Sequence, residues 1–390
     1  MNNYNDNAYW ITIAHLPKWH IERINQLIIH VLHDNHLNWP DFFKLDRQGL
    51  RDLFAFTEKE ITDIIFARED LPRIAFIAEQ LQNEGFQIIP LNSVDYPTVL
   101  KENLKVKYSP PVIYIKGRKT LFLEDAVAII GSRNAGKAAL DFTDLIAKKS
   151  VKESKVVVSG FAKGVDKQAL DSTLEAKGKS IIVLPQGILS FQSGFKKYYE
   201  PIVNGDVLVM STFFPKAGWD VGFAMARNSY IYGLAKEIYV AETDSKGGTW
   251  EGAVDGLKKN RKVYVRKPAS DEKNANQKLI SLGAIPVGFD NESNVVMLNT
   301  YDYLIENKTL NETFNEQDLI LNNNPQSIEN DILELLKKDN YTTKEIILTL
   351  KLNIDSRKLT NYLKKNPNIK TIEGKPSKFG LSNVISLSLF

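Results

Sequence analysis

Four segments of this 390-residue chain pair glycine with a cation or a hydroxyl, the combination that lets a backbone approach phosphate oxygens. The first, Gly131-Ser132-Arg133-Asn134-Ala135-Gly136-Lys137-Ala138, has the G-x4-G-K spacing of a phosphate-cradling P-loop. Such a loop needs Ser or Thr after the lysine to hold magnesium, and Ala138 stands there. Nucleoside triphosphate hydrolysis is therefore not expected. What remains is a helix start that favours an anion, with the Arg133 guanidinium beside it. The plainer reading is a tight turn with a solvent-facing arginine.

The second segment runs from Ser159 to Asp166. Gly160 and Gly164 permit a turn, Ser159 offers a hydroxyl, and Lys163 stands beside Arg133 if the two strands are neighbours. Asp166 is expected to cap the following helix. In the third, Met225 to Leu234, Arg227 and Asn228 precede an apolar helix. The fourth, Ser245 to Ala253, places Lys246, Gly248 and Thr249 at a glycine-rich helix start. A structural turn would explain each of these segments alone; four at one sheet edge point to a polyanion.

The elements that must position them follow from periodicity. Residues 1–85 read as a small helical domain of the SAM or helix-hairpin-helix kind, with Thr57 as an N-cap and Gly85 as a stop. The i, i+3 triplet His30, His33 and His36 has the spacing of a metal face, but an exposed helix needs no ligand to explain it. From Ala126, apolar strands alternate with helices: AVAIIG, KVVVSG, SIIVLPQG, DVLVMS, EIYVAE and KVYVRK. This predicts an α/β fold, a Rossmann-like doubly wound and mostly parallel sheet spanning 86–305. In such a sheet the binding crevice lies beyond the carboxyl ends of the strands, where the four segments fall. Residues 306–326 read as a polar linker, and 327–390 as three short helices and a hairpin, a winged-helix pattern with Arg357, Lys358, Lys364 and Lys365 on or near its third helix.

Composition narrows the chemistry. Cysteine is absent, which removes disulfides, thiolate nucleophiles and cysteine zinc sites. All five histidines lie within the first 36 residues, so the sheet domain has none for a Ser-His-Asp triad. No apolar run reaches membrane-spanning length, and the start lacks a signal-peptide pattern, so a cytoplasmic protein with no membrane partner is expected. The net charge of +3 is unevenly placed: residues 326–390 carry 11 Lys or Arg against 7 Asp or Glu. That basic tail is too weakly charged to identify a partner.

From about Ile88 to Pro268 the order of motifs resembles the DprA (DNA-processing protein A, or Smf) family. The carriers are IIPLNSVDYPTVLKE with its Tyr96-Pro97 pair, PPVIYIKG, AIIGSR, VVVSGFAKGVDKQAL, SIIVLPQGI, MARNSYIYGLAKEIYVAE and SKGGTWEGAV. The resemblance implies a protein that binds single-stranded DNA without a catalytic residue, metal or cofactor, helps to load RecA, and dimerises through the Rossmann-like domain. Carried over, the phosphate-contacting set is Gly131, Ser132, Arg133, Ser159, Gly160, Lys163, Arg227, Asn228, Lys246, Gly248 and Thr249. Phe161 either stacks on a base or packs within its own loop.

Four positions depart from the family's pattern: Leu170 where the family commonly has His, Lys163 and Val165 where Arg and Ile are usual, and Ser229 where a second arginine is usual. Two other functions stay open. The Gly247-to-Glu251 loop partly resembles that of nucleotide-processing phosphoribohydrolases, which would make Glu251 catalytic, although their extra glycine before the threonine is missing. DprA-like proteins also partner other proteins in phage-defence pairs, which would replace RecA by a defence-pair protein.

Overall fold

The computed structural model describes residues 6–289, 295–300, 303, 332–337, 339–350, 356–366, 368–372, 374 and 377–381. The linker expected at 306–326 lies outside them. The chain forms two compact units, Met1–Gln277 with Ala284–Leu298, and Lys278–Gly283 with Asn299–Phe390. Among the described residues no helix is long and apolar enough to cross a membrane.

The larger unit opens with five helices: α1 (Asp6–Ala14), α2 (Ile21–Ile29), α3 (Trp39–Phe42), α4 (Arg47–Phe54) and α5 (Glu58–Asn83). The Thr57 hydroxyl accepts from Glu60 N and the Glu60 carboxylate from Thr57 N, a reciprocal cap that fixes where α5 begins. A proline inside a helix ordinarily breaks or kinks it, yet α5 continues through Pro72, with Ile61, Ile64, Leu71, Ile74, Ala78 and Leu81 buried on both sides of it. Packing of that stripe outweighs the one hydrogen bond a proline removes. The histidine triplet lies at a π-helical turn, His30–Asp34, where His30 and His33 each pair with Asp34, and at His36 just beyond it.

Ten strands follow: β1 (Gln87–Pro90), β2 (Val112–Lys116), β3 (Ala126–Ile130), β4 (Val156–Ser159), β5 (Ser180–Val183), β6 (Val207–Ser211), β7 (Glu237–Val240), β8 (Lys262–Arg266), β9 (Ile285–Phe289) and β10 (Val295–Met297). They lie in the order β1-β2-β6-β5-β4-β3-β7-β8-β9-β10. Pairing is parallel from β6 across to β9 and antiparallel at both margins. β3, β4, β5 and β6 are buried along their whole lengths, as strands covered on both faces must be. The expected doubly wound, mostly parallel sheet is thus present, with an antiparallel lead-in, β1 and β2, closing one side.

The covering helices include α6 (Thr98–Tyr108), α7 (Lys137–Lys152), α8 (Val165–Glu175), α9 (Gln192–Lys197), α10 (Tyr199–Asn204), α11 (Val221–Leu234) and α12 (Gly248–Lys258). One apolar cluster joins residues of the first five helices to Val112, Tyr114, Leu170, Ile182 and Val209. Within it His15 shares a 2.9 Å hydrogen bond with the Tyr114 hydroxyl and meets Phe214 edge-on. Burial holds the His15 imidazole down to about 4. It borders a cavity of about 600 Å³ whose charged neighbours are Asp63, Asp70 and Arg73.

A histidine whose folded pKa lies below its unfolded value binds its proton more tightly when unfolded. Stability is therefore whole at pH 7.5 and lost as pH falls from about 6.5 towards 4. Urea denaturation is expected to show a loss of about 2 kcal/mol between pH 7.5 and 5, and His15→Gln should remove most of that dependence. An unchanged pH dependence in the variant would assign the loss to other groups.

In the smaller unit a helix over residues 332–336 and the helices Thr343–Thr349 and Ser356–Lys365 accompany a three-stranded antiparallel sheet. Its strands β11 (Tyr341–Thr342), β12 (Ile369–Ile372) and β13 (Lys378–Leu381) lie in the order β11-β13-β12. Ile332, Leu335, Leu336, Ile346, Leu359, Leu363, Ile369 and Phe379 form its core. Lys364 is exposed on the helix Ser356–Lys365, whereas the side chains of Arg357, Lys358 and Lys365 lie outside the described residues.

Candidate functional site

β3 is flanked by β4 on one side and β7 on the other, both parallel to it. The chain winds outwards from β3 in one direction and from β7 in the other, so a crevice opens beyond the carboxyl ends of these two strands. A cavity of about 380 Å³ occupies that place. A second, of about 250 Å³, shares Arg133, Ala162 and Arg227 with it.

Gly131, Ser132, Arg133, Arg227, Asn228, Lys246, Gly248 and Thr249 line the first cavity; Arg133, Gly160, Phe161, Lys163 and Arg227 line the second. The condition on Lys163 is met, since β3 and β4 are neighbours. Asp166 and Asp244 also line the first cavity, offsetting part of its positive charge. The second is lined by Arg133, Lys163 and Arg227 with no carboxylate among its described lining residues.

Ser159 departs from its assignment. It is buried, and its hydroxyl donates to Ile129 O at 3.1 Å, so it ties β4 to β3 and lines neither cavity. The third segment is also not a loop. Asp220 Oδ1 accepts from Gly222 N and Phe223 N, starting α11 at Val221, so Arg227 and Asn228 sit in the middle of that helix.

Arg227 is the buried centre of the site, only 3% exposed. Its guanidinium lies over Gly160 so closely that a Cβ at that glycine would fall inside it. Its Nη1 stands 3.5 Å from Asp166 Oδ2, making Asp166 a buried counterion rather than the expected helix cap. Burial pulls the guanidinium below its ordinary range and Asp166 opposes that. Its Nε has no hydrogen-bond partner among the described residues.

The loops interlock around this pair. Gly164, at φ +84°, packs against the backbone of Ser132 and Arg133. Ser132 N donates to Glu242 O at 2.9 Å, the Thr249 hydroxyl to Gly131 O at 3.3 Å, and the Tyr232 hydroxyl to Gly248 O at 3.0 Å. Gly248 itself lies against the Asn228 amide. The P-loop-like segment has its own anion: Glu242 Oε2 accepts from Gly136 N at 3.4 Å at the start of α7. The segment therefore offers the cavities Arg133 rather than an unserved helix terminus. Behind it, buried Asn276 accepts from Thr243 N and donates to Ala241 O and Arg266 O, fixing the end of β7.

Arg133, Lys163 and Lys246 are exposed around this frame. Three exposed cations bordering adjoining cavities are an arrangement that attracts anions. Glu251, the residue a hydrolytic reading requires, is exposed on the first turn of α12 and lines neither cavity. Sequence reading missed Trp219 and Gln186, which line the second cavity, and Val221 and Met225, which line the first. The usable signal was Asp220, an N-cap residue just ahead of an apolar run.

A sequence profile of the DNA recombination-mediator protein A family matches residues 87–298, more than half of the chain. The chain belongs to that family. It is 27% identical to Protein Smf of Synechocystis over 304 residues, 72% of this chain and 74% of that protein. It is 28% identical to DNA processing protein DprA of Streptococcus pneumoniae over 186 residues, 47% of this chain and 64% of that protein, just under two thirds of its length. The X-ray structure of the S. pneumoniae DprA superposes with a TM-score of 0.59 at 22% identity, covering 78% of this chain and 99% of that one, which establishes a shared fold.

Two of the positions expected to depart from the family pattern fall in different settings. Leu170 is buried in the main cluster. Ser229 is exposed, and its hydroxyl donates to Ala226 O at 2.7 Å.

Proposed function

We propose that this protein binds single-stranded DNA along the rim formed by the two cavities and performs no chemistry on it. The observation that carries the reading is the convergence of Arg133, Lys163 and Lys246 around the buried Arg227 at the reversal of strand order. Membership of a DNA recombination-mediator family and similarity to DNA processing proteins support the same ligand. Gly131, Ser132, Gly160, Asn228, Gly248 and Thr249 build the frame in this reading, and the exposed cations meet phosphate. Sequence preference is small, since backbone contacts carry no base information.

Arg133→Ala and Lys163→Ala are each expected to weaken binding of a labelled oligonucleotide by roughly 1–3 kcal/mol, with melting temperature unchanged. Each should also flatten the dependence of log affinity on log salt by about 0.7. Single-stranded, duplex and mononucleotide ligands titrated at two salt concentrations provide the test. Wild-type affinity in both variants would show the groove to be elsewhere, and tightest binding to a mononucleotide would favour a nucleotide-processing enzyme.

By the family resemblance, the protein partner is RecA and the working form is a homodimer through the sheet domain. A pull-down that recovers a neighbouring-gene product in place of RecA would assign a defence role. The C-terminal helices with the β12–β13 hairpin support a winged helix there.

A further inference from the structure

The rim has two kinds of lining. The loops after β3, β4 and β7 supply Arg133, Lys163 and Lys246. The segment from β6 into α11 supplies apolar surface: Trp219 is 53% exposed, Val221 62% and Met225 39%. Val221 and Met225 line the first cavity and Trp219 the second, so the apolar ledge runs along the same opening as the cations. An indole this exposed gives up much of the burial that a tryptophan ordinarily contributes to a fold.

The ledge is held in place from behind. Gly187 N donates to Ala217 O at 2.9 Å, Leu189 N to Pro215 O at 2.9 Å, and Ala217 N to Phe214 O at 2.8 Å. Phe213 and Phe223 stack at 4.3 Å with 21° between their planes, and Asp220 caps α11 directly after Trp219. Arg133 Cζ lies 5.8 Å from the Trp219 ring centroid. The aromatic singled out by sequence, Phe161, is placed differently. It is half-buried and meets Phe191 and Tyr198 edge-on, at 4.9 and 5.6 Å.

A nucleotide is itself two-sided, an anionic phosphate joined to a flat apolar ring, and matches cations bordered by exposed aromatic surface. We propose that Trp219 is the platform on which a base of the bound strand stacks while Arg133 engages the adjoining phosphate. This rests on the single-stranded DNA reading and specifies which part of the ligand the apolar ledge takes.

The test compares an oligonucleotide with the same sequence carrying abasic sites, at one salt concentration. Wild type is expected to bind the intact strand about 5- to 50-fold more tightly than the abasic one. Trp219→Ala should bind both with the lower affinity, Trp219→Phe should keep part of the difference, and both variants should melt as wild type does. Quenching of intrinsic fluorescence by the intact strand should shrink in Trp219→Phe. Equal binding of both strands by wild type, or discrimination surviving in Trp219→Ala, would overturn the stacking assignment and leave the phosphate reading standing. Failure of wild type to bind either strand would remove the single-stranded DNA reading and this inference with it.

Discussion

Replacing Arg227 by methionine is expected to destabilise the protein by about 3–5 kcal/mol, the range found when one partner of a buried ion pair is removed. Arg227 and Asp166 are both buried, so the truncated protein keeps a carboxylate in a weakly polar setting without its cation. The double variant Arg227→Met with Asp166→Asn should regain a large part of the loss, because it removes charge and counter-charge together. Urea or guanidinium denaturation of the four proteins closes the cycle. Additive single losses would mean that the 3.5 Å approach carries no coupling. Oligonucleotide affinity should fall in Arg227→Met, since Arg227 lines both cavities.

Gly164→Ala is expected to cost about 2–5 kcal/mol and to weaken DNA binding beyond what partial unfolding explains. Two effects add. At φ +84° and ψ −128° the backbone occupies a region that L side chains rarely adopt. A Cβ there would also stand 2.6 Å from Arg133 O and 2.8 Å from Arg133 C, and still closer to Ser132 O, all main-chain atoms that cannot rotate away. The loop bearing Arg133 must move. Gly247→Ala separates the two effects: its φ is +95°, yet nothing lies within 4 Å of its Cβ position. It should show the conformational cost alone, of order 1–3 kcal/mol. Comparable melting and affinity losses in both variants would argue against steric locking of the two loops.

Strands β3 to β8 were legible because each is a short apolar run closed by turn residues. β9 and β10 were not, since IPVGF and VVM are brief and form the sheet margin. Helix α1 escaped for the opposite reason: Ala8 to Ile13 are all buried, leaving no polar face to mark a period. In the site, exposed Arg133, Lys163 and Lys246 were readable as cations in glycine-rich loops. Arg227 was read as one more of these because a residue type does not disclose burial. Its two determinants, the missing side chain at Gly160 and the charge on Asp166, lie in a different segment, 61 residues from it for the aspartate. Trp219 was overlooked because a lone tryptophan ordinarily reads as core.

Interlocked glycines have an evolutionary corollary. Where a glycine turn fits main chain against main chain, as Gly164 does against Ser132 and Arg133, residues that set the shape of the rim tolerate little change, while those projecting from it can be exchanged one at a time. Ser229 illustrates this: it stands on the exposed side of α11, where loss or gain of an arginine alters attraction for a polyanion without disturbing the Arg227–Asp166 centre. Ligand preference in such a protein can drift by surface substitution alone, so relatives with the same architecture can diverge in affinity long before they diverge in form.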